Sequence, residues 1–236
     1  MTLKCKYFKP IIAFIFLTAA TASCRKEHPS CNGKCMSVSI NGMVDLKTTG
    51  AGLANMPVEV NWFKKGYCIG CTAYKITSGK SGKDGKFSFN IAIDTSFFKD
   101  YYLSVRVAAD SNYISASAPG QDFNEERFYD STSTSFQNIK LEFYPKTYLT
   151  IHLHRTLADT FSFFSVEHSF EDRMKYQDYI ISGSQFATDD TIKVETSSGI
   201  YTRIISTKIF GVGQAAEQTD SLIARPNGIN VFDINY

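Results

Sequence analysis

From Ser37 onward, apolar residues recur at every second position in short runs separated by Gly, Asn, Asp and Ser. Alternation with period two places successive side chains on opposite faces of an extended chain, so each run reads as a half-buried strand. Val38, Ile40 and Val44 begin the series, and "PVEVNWF" repeats it with Val58, Val60 and Trp62. "TAYKIT", "KFSFNIAI", "YLSVRVAA" and "NIKLEFY" continue it. The 19 Phe and 13 Tyr, together with plentiful Thr, Ser, Val and Ile, favour strands over helices. No long segment carries a helical period, and only "EDRMKYQ" reads as a single helical turn.

Turn residues organise these strands. The Asp84-Gly85 pair in "SGKSGKDGK" predicts a hairpin between "TAYKIT" and "KFSFNIAI". Pro145 and Lys146 mark a boundary. Beyond them "YLTIHLH", "FSFFSVEH", "QDYIIS", "DTIKVETS", "IYTRIISTKIF", "TDSLIAR" and "INVFDINY" read as seven strands, punctuated by Gly183, Gly199 and Asn227-Gly228. The expected class is all-β, with two consecutive Ig-like or transthyretin-like β-sandwiches over residues 37–145 and 146–236. "FFKDYY" (Phe97 to Tyr102) and "FNEERFYD" (Phe123 to Asp130) break the alternation and read as loops.

The first half resembles a known family. Gly42-x-Val44, the small-residue segment "TTGAGLANMP", Val58-x-Val60 and Asp84 to Phe87 together resemble the carboxypeptidase-regulatory or transthyretin-like β-sandwich. The resemblance spans about Val38 to Tyr144 and implies a module commonly attached to larger surface machinery. It specifies no ligand, because one fold hosts many roles. "KKGYCIGC" departs from the pattern by lengthening a connection and bringing two cysteines into it.

Ahead of the strands lies a targeting segment. Lys4, Lys6 and Lys9 precede the short apolar core "IIAFIFL", and "TAATAS" leads into Cys24. A basic start, a short apolar core and a small-residue exit define a secretory signal peptide, and the core falls well short of a membrane span. The segment resembles a bacterial lipoprotein signal, with Ala22 and Ser23 suiting the cleavage motif and Thr21 standing where Leu is usual. The resemblance implies cleavage after residue 23 and a diacylglycerol on the sulfur of Cys24. Acyl chains of the palmitate class contribute about 0.8 kcal/mol per buried CH₂, so two or three anchor stably. Arg25 follows Cys24, and the implied destination is the outer membrane. Residues 24–36 then form a lipidated polar tether.

Loss of the three signal lysines takes the net charge from +2 to −1, which leaves no electrostatic footprint for nucleic acid. Cys5 leaves with the signal and Cys24 carries lipid, so Cys31, Cys35, Cys68 and Cys71 remain. Four thiols in an exported protein predict two disulfides with three possible connectivities. Crossed pairs close longer loops than the local pairs and are favoured on entropic grounds.

Candidate chemistry is sparse. Cys68-Ile69-Gly70-Cys71 lacks the α/β context of a redox motif, and an oxidising compartment favours disulfides over a four-thiol Zn²⁺ site. His152 and His154 sit two apart on a predicted strand and face outward with Tyr148 and Thr150, opposite Leu149, Ile151 and Leu153. They could share a metal with His168 or Glu167, but no third ligand has recognisable spacing, so they read as an exposed polar face and no metal is expected. Glu125-Glu126 and Asp189-Asp190 read as solvated turns, and Asp122, Glu125 and Glu126 lack a calcium-loop pattern. No Gly-x-Ser-x-Gly, no phosphate loop and no His-Glu-x-x-His is present. The expectation is a non-catalytic outer-membrane lipoprotein without cofactor, a binding or structural part of an envelope complex. Its partners are the membrane, through Cys24, and an envelope protein or a glycan. The alternatives are a surface glycan-binding module using loop aromatics and a thiol-redox or metal protein using Cys68 and Cys71.

Overall fold

A computed structural model describes residues 35–66, 73–116, 123–130, 134–156, 160–170 and 173–236, with backbone alone for 173–177 and 185. Among the described residues every long element is a strand, and the two helical pieces are short 3-10 turns at Thr95–Lys99 and Ser184–Phe186. The signal peptide, Cys24 and most of the tether lie outside the described residues.

The first sandwich packs two four-stranded layers. One contains β1 (Cys35–Leu46), β4 (Lys86–Asp94), β6 (Tyr113–Ser115) and the first half of β8 (Ser135–His154). The other runs β3-β2-β5-β7, from β2 (Pro57–Lys64), β3 (Tyr74–Lys80), β5 (Tyr101–Ala108) and β7 (Phe123–Phe128). The predicted alternation holds: Val38, Ile40, Val44, Val58, Val60, Trp62, Leu103, Val105 and Val107 are buried in one core with Leu141 and Phe143.

The second sandwich continues without a linker. β8 is 20 residues long, spanning about 66 Å at strand rise, and serves both bodies. Its first half pairs parallel with β1 up to Leu46↔Phe143. Its second half pairs antiparallel with β11 (Asp190–Ser197) from Lys146 onward, and parallel with β14 (Val231–Asn235). Pro145 occupies the gap where β1 has ended and β11 has not begun, a position that asks little of its missing N–H. Opposite lies a sheet in the order β10-β9-β12-β13, from β9 (Phe163–Phe170), β10 (Arg173–Ile181), β12 (Tyr201–Gly211) and β13 (Gln214–Ile223). Leu149, Ile151, Leu153, Phe164, Val166, Ile204, Ile234 and Tyr236 fill this second core. A small third cluster of Ala116, Tyr144 and Phe170 seals the seam, with Phe170 edge-on to Tyr144 at 5.6 Å.

The seven strands expected after residue 145 are the end of β8 and β9 to β14. Three expectations need correction. "FNEERFYD" is not a loop: it forms the edge strand β7, paired with β5 from Leu103↔Phe128 to Ala108↔Phe123. "EDRMKYQ" contributes to strand β10, which begins at Arg173. The Asp84-Gly85 turn is not a hairpin, because β3 pairs with β2 and β4 pairs with β1, so the chain crosses between layers there. Only Gly85 takes positive φ (80°), and its carbonyl accepts the Val44 N–H at 2.9 Å. The turn chemistry reverses the chain, but burial of both flanking strands in opposite layers decides their pairing. β1 begins at Cys35, two residues before the expected start of the sandwich at Ser37.

Candidate functional site

Among the described residues, a group of metal-ligating side chains lies on the outer face of the second sandwich. β8 alternates as expected: Leu149, Ile151 and Leu153 are fully buried, which turns His152 and His154 outward. β14 lies beside it in parallel register, with Asp233 opposite His152 and Ile234 opposite Leu153. Ile234 is buried in the core, so alternation turns Asp233 to the same outer face as the histidines. The Asp233 Oδ1 lies 3.2 Å from His152 Nδ1 and 3.1 Å from His154 Nε2. The hydrogen bond with His154 foremost, joined by that with His152, holds the Asp233 carboxyl below the usual carboxylate range against the opposing effect of desolvation. Beside the imidazoles opens a hollow of about 490 Å³, bordered by Asp189, Asp190 and Thr191. Asp189 is occupied as acceptor for the Arg155 backbone N–H at 2.8 Å.

His168 does not join this group. It is buried on β9, with Nδ1 2.6 Å from Asp178 Oδ2 and Nε2 2.9 Å from the Glu195 carbonyl on β11. The imidazole thereby ties one layer of the sandwich to the other. Glu167 lies next to it in sequence, on β9 rather than beside β8.

A second polar surface covers the outside of the β3-β2-β5-β7 layer. Arg106 donates to Glu59 at 3.0 Å, and Lys75 donates to the same carboxylate at 3.1 Å. These contacts, Arg106 foremost, hold Glu59 below its ordinary range. The Arg106 guanidinium lies over Phe63 and Phe123, and Arg127 lies over Tyr102. Tyr102 in turn stacks on Phe63 at 5.5 Å and packs near Tyr129 at 5.2 Å. Glu125 accepts Ser104 Oγ and Arg127 Nε, each at 2.6 Å. The "FFKDYY" aromatics are divided between roles. Phe98 is buried edge-on to Trp62 at 4.9 Å, Phe97 stacks on the same indole, and Tyr102 faces outward.

Of the sequence-predicted site residues, His152 and His154 are brought together, and His168 and Glu167 stand apart from them. Cys35 is at the exposed start of β1. Cys24, Cys31, Cys68, Cys71 and Asp122 lie outside the described residues. Asp233 is the member that sequence reasoning missed. Alternation in "INVFDINY" already separates Val231, Asp233 and Asn235 from Phe232, Ile234 and Tyr236. Nothing local indicates that this strand lies beside β8.

No family model and no curated protein matches the chain. Among solved structures it is similar to the Bacillus anthracis TIE protein at 9% identity and TM-score 0.33, covering 85% of this chain and 34% of that one. A Streptococcal ancillary pilin gives 9% identity and TM-score 0.32, with 85% and 62% covered. The shaft pilin SpaA from Lactobacillus rhamnosus GG gives 10% identity and TM-score 0.32, with 86% and 97% covered. The chain thus spans about a third of the first of these proteins and under two thirds of the second. Likeness at these scores carries no argument about what this chain does.

Proposed function

We propose that the chain is a non-catalytic lipoprotein of the outer membrane, anchored by acyl chains on Cys24, whose two sandwiches serve as a binding or structural part of an envelope complex. The observation that carries this reading is the order of segments. A signal peptide ends in small residues at Cys24, a polar tether of about a dozen residues follows, and β-structure begins at Cys35. The unbroken β8 supports a structural role, because a single strand shared by two cores couples them without a hinge. The first sandwich resembles the transthyretin-like modules of surface machinery. Disulfides among Cys31, Cys35, Cys68 and Cys71 would fasten the tether to the fold, as suits an oxidising compartment.

The buried His168 is paired with Asp178 and with the Glu195 carbonyl across the layers, which suits architecture better than turnover. The glycan alternative is less favoured. Sugar stacking needs free ring faces, and guanidinium groups cover one face of Phe63, Phe123 and Tyr102, which leaves Tyr129, 53% exposed, as the open ring of that group. A protein partner is the better fit.

Membrane fractionation of cells producing the full chain tests the anchor. The wild type is expected in the detergent-extracted outer-membrane fraction, and Cys24→Ala in the soluble or inner-membrane fraction. Equal distribution of the two would refute the anchoring.

A further inference from the structure

We infer that His152, His154 and Asp233 form a binding site for a divalent transition cation of the Zn²⁺ class. Two imidazole nitrogens and one carboxylate oxygen make a donor set of borderline softness, which suits Zn²⁺, Co²⁺ or Ni²⁺ rather than Ca²⁺ or Mg²⁺. The three donor atoms all lie within 4.8 Å of one another. A tetrahedral ion with bonds of about 2.0–2.1 Å needs donors about 3.3 Å apart. The separations of 3.1 and 3.2 Å from Asp233 Oδ1 to the two nitrogens are close to that edge.

The backbone supplies much of the preorganisation. His152 and His154 share a face because they are two apart on β8, and their neighbours Ile151 and Leu153 are locked into the core. Asp233 is set opposite His152 by the β14 ladder, between Phe232 packed against the core and Ile234 buried in it. A ligand on a strand keeps its direction better than one on a loop, so rotation of three side chains is the main freedom left to lose. Without a cation the two ring N–H groups donate to the same carboxylate oxygen. On binding, both nitrogens turn from donors to ligands, and two imidazole protons shift to the far ring nitrogens or to solvent.

The site is accessible. The His152, His154 and Asp233 side chains are 39%, 48% and 59% exposed, so an ion can enter without opening the fold. Three protein ligands leave at least one position for water or for a donor from another molecule, the open arrangement rather than the closed structural one. The site is independent of the lipid anchor, since Cys24 supplies none of its ligands.

The test uses the full chain, stripped of metal by a chelator and titrated with Co²⁺ and then Zn²⁺, followed by calorimetry and visible absorption. One equivalent is expected, with the visible bands of a nitrogen- and oxygen-ligated Co²⁺ and no thiolate charge-transfer band. Asp233→Asn and His152→Gln should each weaken binding by more than about a hundredfold, beyond the roughly 10–100-fold that loss of an outer-shell partner costs. Glu59→Gln, in the first sandwich, should leave it unchanged. Thermal melting identifies any variant that has lost its fold, and the two ligand variants are read independently for that reason. Absence of saturable binding, a thiolate band, or affinities unchanged in both ligand variants would overturn the site.

Discussion

The Tyr236 ring stacks on Phe164 at 4.3 Å with an angle of 11° between the planes, joining the β14 edge to the heart of the opposite sheet. Its hydroxyl donates to the Thr188 carbonyl at 2.6 Å, and its backbone N–H donates to the His154 carbonyl at 2.8 Å. The residue is fully buried. It fixes β14 beside β8, and with it the position of Asp233.

Tyr236→Ala removes a buried aromatic and strands its hydrogen-bond partners. It should cost about 3–5 kcal/mol, measured as a lower urea midpoint with little change in the slope. Tyr236→Phe keeps the stack and loses only the hydroxyl, so its cost should be nearer about 1 kcal/mol.

His168 should behave as a cross-layer tie rather than as a reactive group. His168→Phe fills the space but leaves Asp178 buried without its partner, and should destabilise by about 3–5 kcal/mol. The double variant His168→Phe, Asp178→Leu should recover much of that loss in thermal melting. No recovery would mean that the two side chains act separately.

Glu59 carries a pH dependence whose sign follows from its contacts. Arg106 and Lys75 lower its pKa in the folded protein relative to about 4.3 in the unfolded chain. The folded state therefore binds the proton less readily, and the resulting stability is present above the unfolded value and is lost as pH falls through the folded value. The stability difference between wild type and Glu59→Gln should be constant near neutrality and shrink below about pH 4. Partial exposure keeps this difference small. A gap that persists undiminished at about pH 3 would mean that charge at Glu59 is not its source.

Gly85 and Gly52 should tolerate no side chain. Gly85 holds φ of 80°, and a Cβ there would stand 2.3 Å from the Val44 carbonyl oxygen. A Cβ on Gly52 would stand 2.0 Å from the Asp84 carbonyl oxygen. Each Gly→Ala change should cost at least about 1–3 kcal/mol, read by thermal denaturation. Gly213, which also has positive φ but meets nothing within 4 Å, should cost less than either.

Much of the fold was legible in the residues because one physical signal, period-two alternation, is local and strong. Val58, Val60 and Trp62 are buried as their spacing requires, and so are Leu149, Ile151 and Leu153. Pairing was less legible. "SGKDGK" reverses the chain as its Asp-Gly pair demands, yet β3 and β4 enter different layers because each buries its apolar face from its own side. β7 was obscured by Glu125, Glu126 and Arg127, charges that an edge strand can carry on its open side. The candidate site was half legible for the same reason. The outward pair His152 and His154 follows from alternation alone, whereas Asp233 reaches it through a parallel register across some eighty residues of chain.

The most direct test of the proposed function is the intact mass of the protein extracted from membranes, before and after reduction with alkylation. The account predicts a chain beginning at Cys24 with an acyl increment, and four alkylated thiols that appear only after reduction. A lipid-free product, or Cys68 and Cys71 alkylated without reduction, would contradict it.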